Sequence, residues 1–410
     1  MKVVIIGSGG QGTGLASLLT LEKDITSLVL ADYSENALEA AKTSIELLEN
    51  RLVQDIQYIT VNAADVEDVR RVSQGASVIF NGTVPKFNYP IMKAALAEKT
   101  HYIDLFGAPF EDEGVSYEET LTAQFDLNEA FKDAGILGVP SLGASPGWTT
   151  LVALKSIEEL DEVSEVIIRF YYYADTDKFY FPVAPTIILG EWLGAPSPLR
   201  TVNGVAETVD LLESKEIFDF LPPFGKREVY TVTTSPNIFI IPQLADKPVG
   251  LVVEKSGIGV GKLETFDIIV KALQKVTSKQ GWGKEEINII EKMAEDVILP
   301  FEFLNLLKAG EIRFEGSSVT IEVAGKKDGK DKRKISYCNS DFSLTSKYLP
   351  WSSPGVFATI GGLTIETVLG LVRGEIKDKG VLPVSSLALR DELLERMKKR
   401  GFVIQEVEID

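Results

Sequence analysis

Gly7-Ser8-Gly9-Gly10-Gln11-Gly12 directly follows a short apolar run and opens a helical pattern. The GxGxxG spacing in that setting suits the holding of a diphosphate. Gly7 allows a tight turn, Gly9 lets the backbone approach an anion with no Cβ in the way, and Gly12 lets the helix pack close to the strand. The free N–H groups of the helix start, around Ser8, Gly10 and Gln11, then face the negative charge. Asp32 ends the second apolar run, 25 residues after Gly7, with Tyr33 beside it. A carboxylate near that offset accepts both hydroxyls of an adenosine ribose and repels a 2′-phosphate. Tyr33-Ser34 provides no arginine for such a phosphate, so NAD is the expected cofactor and NADP the alternative. A helix N-cap is the competing role for Asp32. Asp65 follows the third apolar run and has two readings, the adenine edge or an N-cap for the next helix. Gly82, Thr83 and Pro85 lie in the Asn81-to-Pro85 turn that closes the fourth run, where a doubly wound sheet faces the nicotinamide-side ribose.

Groups able to manage a proton are few. His101 is the single histidine and Cys338 the single cysteine. That excludes a His/Cys zinc site and an intramolecular disulfide, and no metal site is expected. A Ser/His/Asp triad would have to use His101. In His101-Tyr102-Ile103-Asp104, strand alternation places His101 and Ile103 on one face and Tyr102 and Asp104 on the other. Asp104 is the first candidate for holding a substrate ammonium or polarising an imine, against a carboxylate that bonds nearby backbone N–H groups. His101 is the second, against a packed, satisfied histidine.

The elements that must position these residues alternate in type. Apolar runs at 3–6, 27–31, 56–61, 77–81, 101–105 and 135–139 read as strands, separated by helical patterns at 10–21, 36–52, 66–73, 90–98 and 121–134. Such alternation means βαβ units and a parallel sheet, and the near-continuous apolar runs fit strands covered on both faces. After Pro146 the pattern changes to β-type runs at 163–174, 229–234, 251–254, 266–270, 319–323 and 334–337, with a helix at 285–307. A largely antiparallel sheet in a second domain is expected. The Gly/Lys/Asp-rich stretch 326–334 reads as an exposed hairpin connection. Amphipathic helices at 366–373 and 390–400 and a strand at 402–407 close the chain.

The 410 residues carry 42 Lys and Arg against 60 Asp and Glu, a formal charge of −18, so nucleic acid and membrane surfaces are poor partners. No apolar run approaches the ~20 residues of a membrane span, and no signal peptide is evident. A cytoplasmic enzyme with a small-molecule substrate is expected.

Several blocks, in order along nearly the whole chain, resemble the saccharopine dehydrogenase-like family, which includes saccharopine reductase, lysine 6-dehydrogenase and carboxynorspermidine dehydrogenase. They are the Gly7-to-Gly12 turn with Asp32, His101-Tyr102-Ile103-Asp104, Gly143-Ala144-Ser145-Pro146-Gly147, Gly190-Glu191-Trp192-Leu193 through Asn203-Gly204, and Gly374-Glu375-Ile376 with Gly380-Val381-Leu382-Pro383. The resemblance implies a Rossmann doubly wound sheet formed by residues 1–140 and 350–410, with an inserted α+β substrate and dimerisation domain at 141–349. It further implies a homodimer and NAD(P)-dependent hydride transfer at the C–N carbon of an amino-acid-like amine or imine. Tyr102, Ala144, Ser145, Pro146 and Gly147 would lie near the substrate. Ser145 stands where the polyamine and saccharopine branches carry an Asp, which resembles the lysine dehydrogenase form of the loop. A substrate carboxylate needs a cation. Arg169, Lys178, Arg200 and Lys255 are the candidates among which the sequence does not choose. Another carbonyl substrate, or a non-catalytic dinucleotide sensor, is the alternative function.

Overall fold

Val3, Val4, Ile5 and Ile6 have no solvent exposure, so β1 (Lys2–Ile6) must be covered on both faces. It is the centre of a parallel sheet in a computed structural model, which describes residues 1–106, 123–177, 192, 198–233, 235–270 and 305–409. The other strands are β2 (Ser27–Asp32), β3 (Asp55–Thr60), β4 (Val78–Asn81), β5 (His101–Asp104) and β6 (Leu137–Val139). The sheet order is β15-β6-β5-β4-β1-β2-β3, where β15 (Gly380–Val381) is a late strand that pairs in parallel with β6. The chain leaves β1 toward β2 on one side and returns to β4 on the other. This reversal leaves a crevice at the carboxyl ends of β1 and β4.

Helices α1 (Gly10–Leu19), α2 (Glu35–Glu46), α3 (Val66–Ser73), α4 (Asn88–Glu98) and α5 (Asn128–Ala134) alternate with these strands. The expected helix at 121–134 is interrupted by a turn at 126–127 between helical residues 123–125 and α5, and 121–122 lie outside the described residues. One helical stretch, Pro354–Val372, is the single segment among the described residues with the length and hydropathy of a membrane span. In this fold it is a core element. Val356 and Ile360 are buried, and an added Cβ on Gly14 of α1 would lie 3.1 Å from Val356 and 3.3 Å from Ile360. Its last part, α8 (Ile365–Val372), is buried on every side, so the amphipathic expectation there is corrected. Glu366 inside it is paired with Arg400, which follows α9 (Arg390–Lys399).

The chain divides into two units, Met1–Leu151 with Val356–Gly401 and Val152–Gly355 with Phe402–Asp410. The second unit holds a nine-stranded sheet. Its path is β10 (Glu216–Phe220), β11 (Gly225–Thr231), β12 (Val249–Val260), β7 (Glu162–Thr176), β13 (Ile312–Lys327), β14 (Lys330–Asp341) and β16 (Ile404–Ile409). Every pair on that path is antiparallel except β12 with β7. The hairpin β8 (Leu199–Val202) and β9 (Val205–Thr208) joins through β12 and turns at Asn203-Gly204, both with positive φ. Helix α7 (Asn237–Leu244) packs on β12 and β8.

Three expectations change here. β16 pairs with β14, from Arg333 opposite Ile409 to Cys338 opposite Ile404, so the chain end belongs to this sheet and not to the Rossmann sheet assigned to 350–410. The connection expected over 326–334 shrinks to the two-residue turn Asp328-Gly329, with φ of 52° and 72°, because both residues suit a left-handed turn that lets the strands continue to Lys327 and from Lys330. Residues 266–270 are helical: Thr265, Ile268 and Ile269 are buried while Phe266 and Asp267 are exposed, a helical spacing and not a strand alternation. Most of the helix expected at 285–307 lies outside the described residues.

Candidate active site

The glycine turn is fixed by contacts no side chain could tolerate. Gly7 has φ +94°, and its N–H donates to the Ala31 carbonyl at 2.7 Å. A Cβ on Gly12 would lie 1.9 Å from the Gly7 oxygen, whereas one on Gly9 would meet nothing within 4 Å. The turn is therefore closed on the sheet side and open above Gly9. Gly9 is the N-cap of α1 and offers no side chain to the helix start, with Gly10 and Gln11 as the first helical residues. Buried Ser8 Oγ and Gln11 Oε1 have no hydrogen-bond partner. An uncapped helix start, open space at its axis and two orphaned polar atoms fit the diphosphate of a dinucleotide.

Asp32 at the end of β2 joins this turn. Its Oδ2 accepts from Ser8 N at 2.7 Å and its Oδ1 from Ser34 N at 2.9 Å. A carboxylate has about four lone-pair positions, so two remain for ribose hydroxyls. The N-cap of α2 is Ser34, whose Oγ accepts from Ala37 N, so Asp32 is not that cap. Tyr33 is 83% exposed. Asp65 is the N-cap of α3 and accepts from Glu67 and Asp68 N–H groups, so its side chain serves the helix.

Across the crevice, Gly82 N–H donates to the Ile6 carbonyl at 2.8 Å, and a Cβ on Gly7 would lie 2.8 Å from the Gly82 carbonyl carbon. The turn after β4 is thus pressed against the glycine turn. Asn81 Oδ1 accepts from both Thr83 N (3.0 Å) and Thr83 Oγ1 (2.6 Å). Pro85 is buried at the start of the turn Pro85–Phe87.

Asp104 lies beside Asn81 in the parallel register of β4 and β5. It is 1% exposed. Oδ1 accepts from Ser141 N at 2.8 Å; Oδ2 accepts from Tyr102 Oη at 2.9 Å and Gln124 Nε2 at 2.7 Å. Burial pushes its carboxyl pKa up, against the lowering effect of these donors and the Phe106 N–H. The expected face-sharing of Tyr102 and Asp104 is what the structure has, but neither group is open to a ligand. Tyr102 also accepts from Asn81 Nδ2 at 3.1 Å, is fully buried, and has its pKa raised chiefly by that burial. Asp104 as the group that holds a substrate ammonium or polarises an imine, and Tyr102 as a substrate contact, therefore give way to the bonded-carboxylate reading.

His101 sits at the opposite end of β5, paired with Val78. Its Nδ1 accepts from Leu137 N at 2.9 Å, and burial lowers its pKa, so it is held neutral and away from the crevice. Its placement is that of a packed histidine.

The loop after β6 returns to the carboxyl end of β5, with Leu142 N donating to the Asp104 carbonyl at 2.8 Å. Gly143 N–H donates to the Pro146 carbonyl, closing a tight loop whose Ser145-Pro146 peptide is cis. Gly147 has φ +133°, and a Cβ there would lie 2.0 Å from the Gly143 oxygen. Ala144, Pro146 and Gly147 are buried, whereas Ser145 is half-buried and its Oγ accepts from Thr149 Oγ1 at 3.0 Å. Thr149 belongs to α6 (Trp148–Glu158), and Thr364 Oγ1 donates to the Leu142 carbonyl from the late helical stretch.

In the second unit the described cation candidates have carboxylate partners. Arg169 Nη1 meets Glu322 at 2.7 Å and Nη2 meets Glu216 at 2.8 Å; Lys255 meets Glu216 at 3.0 Å and Arg200 meets Glu207 at 2.6 Å. Lys178 lies outside the described residues. No cluster of metal-binding side chains occurs among those described. Sequence reasoning missed Asn88, Gln124 and Ser141. Asn81 was quoted only as the start of its turn, although its place at the end of a strand adjacent to Asp104 was a usable signal.

This geometry defines a doubly wound, dinucleotide-binding protein. Residues 3–139 match the family model described as the saccharopine dehydrogenase NADP binding domain. A carboxynorspermidine synthase of Vibrio alginolyticus is 25% identical, with 100% of this chain and 98% of that protein covered. A carboxyaminopropylagmatine dehydrogenase of Synechocystis sp. is 23% identical over 99% of this chain and 97% of that one. The saccharopine dehydrogenase (L-Glu forming) of Saccharomyces cerevisiae shares the fold, with a TM-score of 0.66 at 16% identity and full coverage of both chains. The chain is thus similar to the saccharopine dehydrogenase-like enzymes, and it is an NAD(P)-dependent oxidoreductase.

Proposed function

We propose that the chain transfers a hydride between a nicotinamide cofactor and the C–N carbon of an amino-acid-like amine or imine. The observation that carries the reading is the open, uncapped glycine turn at the strand-order reversal, in a chain alike over its full length to relatives named for carboxynorspermidine and carboxyaminopropylagmatine. Those names draw the substrate expectation toward carboxylated polyamines, despite the lysine dehydrogenase-like Ser145. The dinucleotide, when bound, supplies the hydride acceptor or donor. Gly7 to Gly12 would hold its diphosphate, Asp32 a ribose, and Thr83 with Gly82 the nicotinamide side. The loop Ala144 to Gly147 would line the substrate, with Ser145 as its accessible side chain. In oxidation, the C–H hydride leaves to the nicotinamide, the N–H proton leaves to solvent, and a C=N bond forms.

NAD is the preferred cofactor in this reading. Asp32 carries a negative charge at the ribose position, and residues 33–41 contain no Lys or Arg. The protein would work in the cytoplasm as a homodimer. The deciding assay follows reduction of NAD and NADP with carboxynorspermidine, saccharopine and lysine in parallel. Turnover with carboxynorspermidine and NAD is the expected result; tight NADH binding with no turnover on any of the three would favour the dinucleotide sensor instead.

A further inference from the structure

Beneath the carboxyl ends of β4 and β5, five side chains close a ring of hydrogen bonds. Asn81 Nδ2 donates to Tyr102 Oη (3.1 Å) and to Asn88 Oδ1 (2.8 Å). Asn88 Nδ2 donates to Gln124 Oε1 (3.3 Å), and both Gln124 Nε2 (2.7 Å) and Tyr102 Oη (2.9 Å) donate to Asp104 Oδ2. All five residues are buried. The donors point one way round both arms, from Asn81 to Asp104, so the ring suits an ionised carboxylate at its end. Buried polar groups cost stability unless fully satisfied.

The ring is satisfied partly through the loops it touches. Asn81 Oδ1 accepts from both polar groups of Thr83, Asp104 Oδ1 accepts from Ser141 N, and Asn88 Nδ2 also donates to the Phe106 carbonyl at 2.8 Å. A shift of either loop by an ångström would leave a buried donor or acceptor unpaired, which is unfavourable. Tyr102 Oη is the shortest link between the two ends, accepting from Asn81 and donating to Asp104.

We infer that Tyr102 is a positioning residue that couples the Thr83 turn to the Ser141–Gly147 loop, setting the two loops of the crevice in one common geometry. The coupling itself follows from the ring; its effect on turnover rests on the proposed function. In Tyr102→Phe the ring volume stays and one oxygen goes, so the fold is retained. Hydrogen–deuterium exchange of the full chain without cofactor reads the coupling directly. The amides of Thr83 and Ser141, neither adjacent to residue 102, should both exchange several-fold faster, about fivefold for one lost hydrogen bond. Asn88→Ala, which cuts the longer arm, should raise both by a smaller factor. The kinetic counterpart is a fall of about tenfold in kcat, with NADH Kd changed less than about twofold and a larger isotope effect from deuterated cofactor.

Faster exchange confined to one of the two amides, or to the neighbours of residue 102, would overturn the coupling. So would a loss of kcat matched by an equal loss of cofactor affinity. Should Tyr102→Phe fail to fold, Thr83→Val against Thr83→Ser makes the same test from the other end. The valine variant should speed exchange at Ser141 and the serine variant should not. If the wild-type chain turns over no amine or imine, the functional reading fails and exchange alone decides the coupling.

Discussion

Asp104 at the end of β5 in the first unit and Arg169 within β7 in the second are both almost fully buried ionisable groups, yet their partners differ in kind. Asp104 is held by neutral donors, two of them backbone N–H groups of flanking chain at Phe106 and Ser141. Arg169 is held by carboxylates of other strands, Glu322 of the adjacent β13 and Glu216 of β10, with its guanidinium 4.3 Å from the Phe218 ring centre. A carboxylate satisfied by loop backbone makes loop position a condition of its stability. An arginine closed by two carboxylates pins strands and leaves no charge for a ligand. The first arrangement suits a site, and the second suits a scaffold. The tyrosines of β7 agree: Tyr171 is buried, bonded to Glu264 at 2.7 Å and packed on Phe220, while Tyr173 lies beside Phe314.

The most severe way to break this contrast is on the site side. Gly12→Ala places a methyl 1.9 Å from the Gly7 oxygen, so the turn must open and the helix start must move. NADH affinity should fall by at least about 100-fold, or ~2.8 kcal/mol, in a fluorescence titration. The second unit's sheet should be indifferent, and unchanged binding would remove the turn from the site. On the scaffold side, Arg169→Met leaves Glu322 buried beside one remaining partner, the half-exposed Arg333. Breaking a buried pair from one side costs ~3–5 kcal/mol, to be read as a lowered denaturant midpoint. NADH affinity should stay within about twofold, because the two sites share no partners. A large loss of affinity without loss of stability would make Arg169 a ligand group after all.

Asp32→Ala sharpens the distinction within the site. Hydrogen bonds to a charged acceptor contribute ~1.5–3 kcal/mol, so NAD affinity should drop by about 10- to 100-fold. NADP affinity should fall less or rise, since the repelling charge is gone. Equal losses for the two cofactors, measured by calorimetry, would sink the ribose assignment.

The first unit was legible because its signals are local. Glycines at fixed offsets and apolar runs placed six of the seven strands of the parallel sheet within a residue or two; the two-residue β15 and the Ser8 N–H bond to Asp32 were not read. What escaped was set by register between distant segments. Asn88, Gln124 and Ser141 reach the ring only after four strands and two helices are stacked, and no spacing in the sequence links them. The same cause explains β16, whose partner β14 is decided by sheet assembly, and Asp104, whose chemical promise at the end of a strand ignored the four donors that fold over it. In 265–270 the apolar density overrode the period, which is helical once Phe266 and Asp267 are seen to be exposed.

His101 provides the smallest and most specific test, because it is a titratable group of the first unit that the site does not use. Its folded-state pKa is lowered, chiefly by burial, with the Leu137 N–H held on Nδ1. A group whose pKa is depressed on folding favours its neutral form in the fold. Its contribution is therefore complete above the unfolded value near 6.5 and is lost as pH falls from there through the folded value. His101→Gln keeps an acceptor but cannot titrate, so its thermal stability should decline less than wild type between pH 7.5 and pH 5. At pH 7.5 the variant should lie within about 1 kcal/mol of wild type, the scale of one neutral hydrogen bond. Turnover at pH 7.5 should hardly change, in contrast to Tyr102→Phe on the same strand. A variant that kept its stability but lost the pH dependence of kcat would return His101 to the proton-handling role its placement at the far end of β5 argues against.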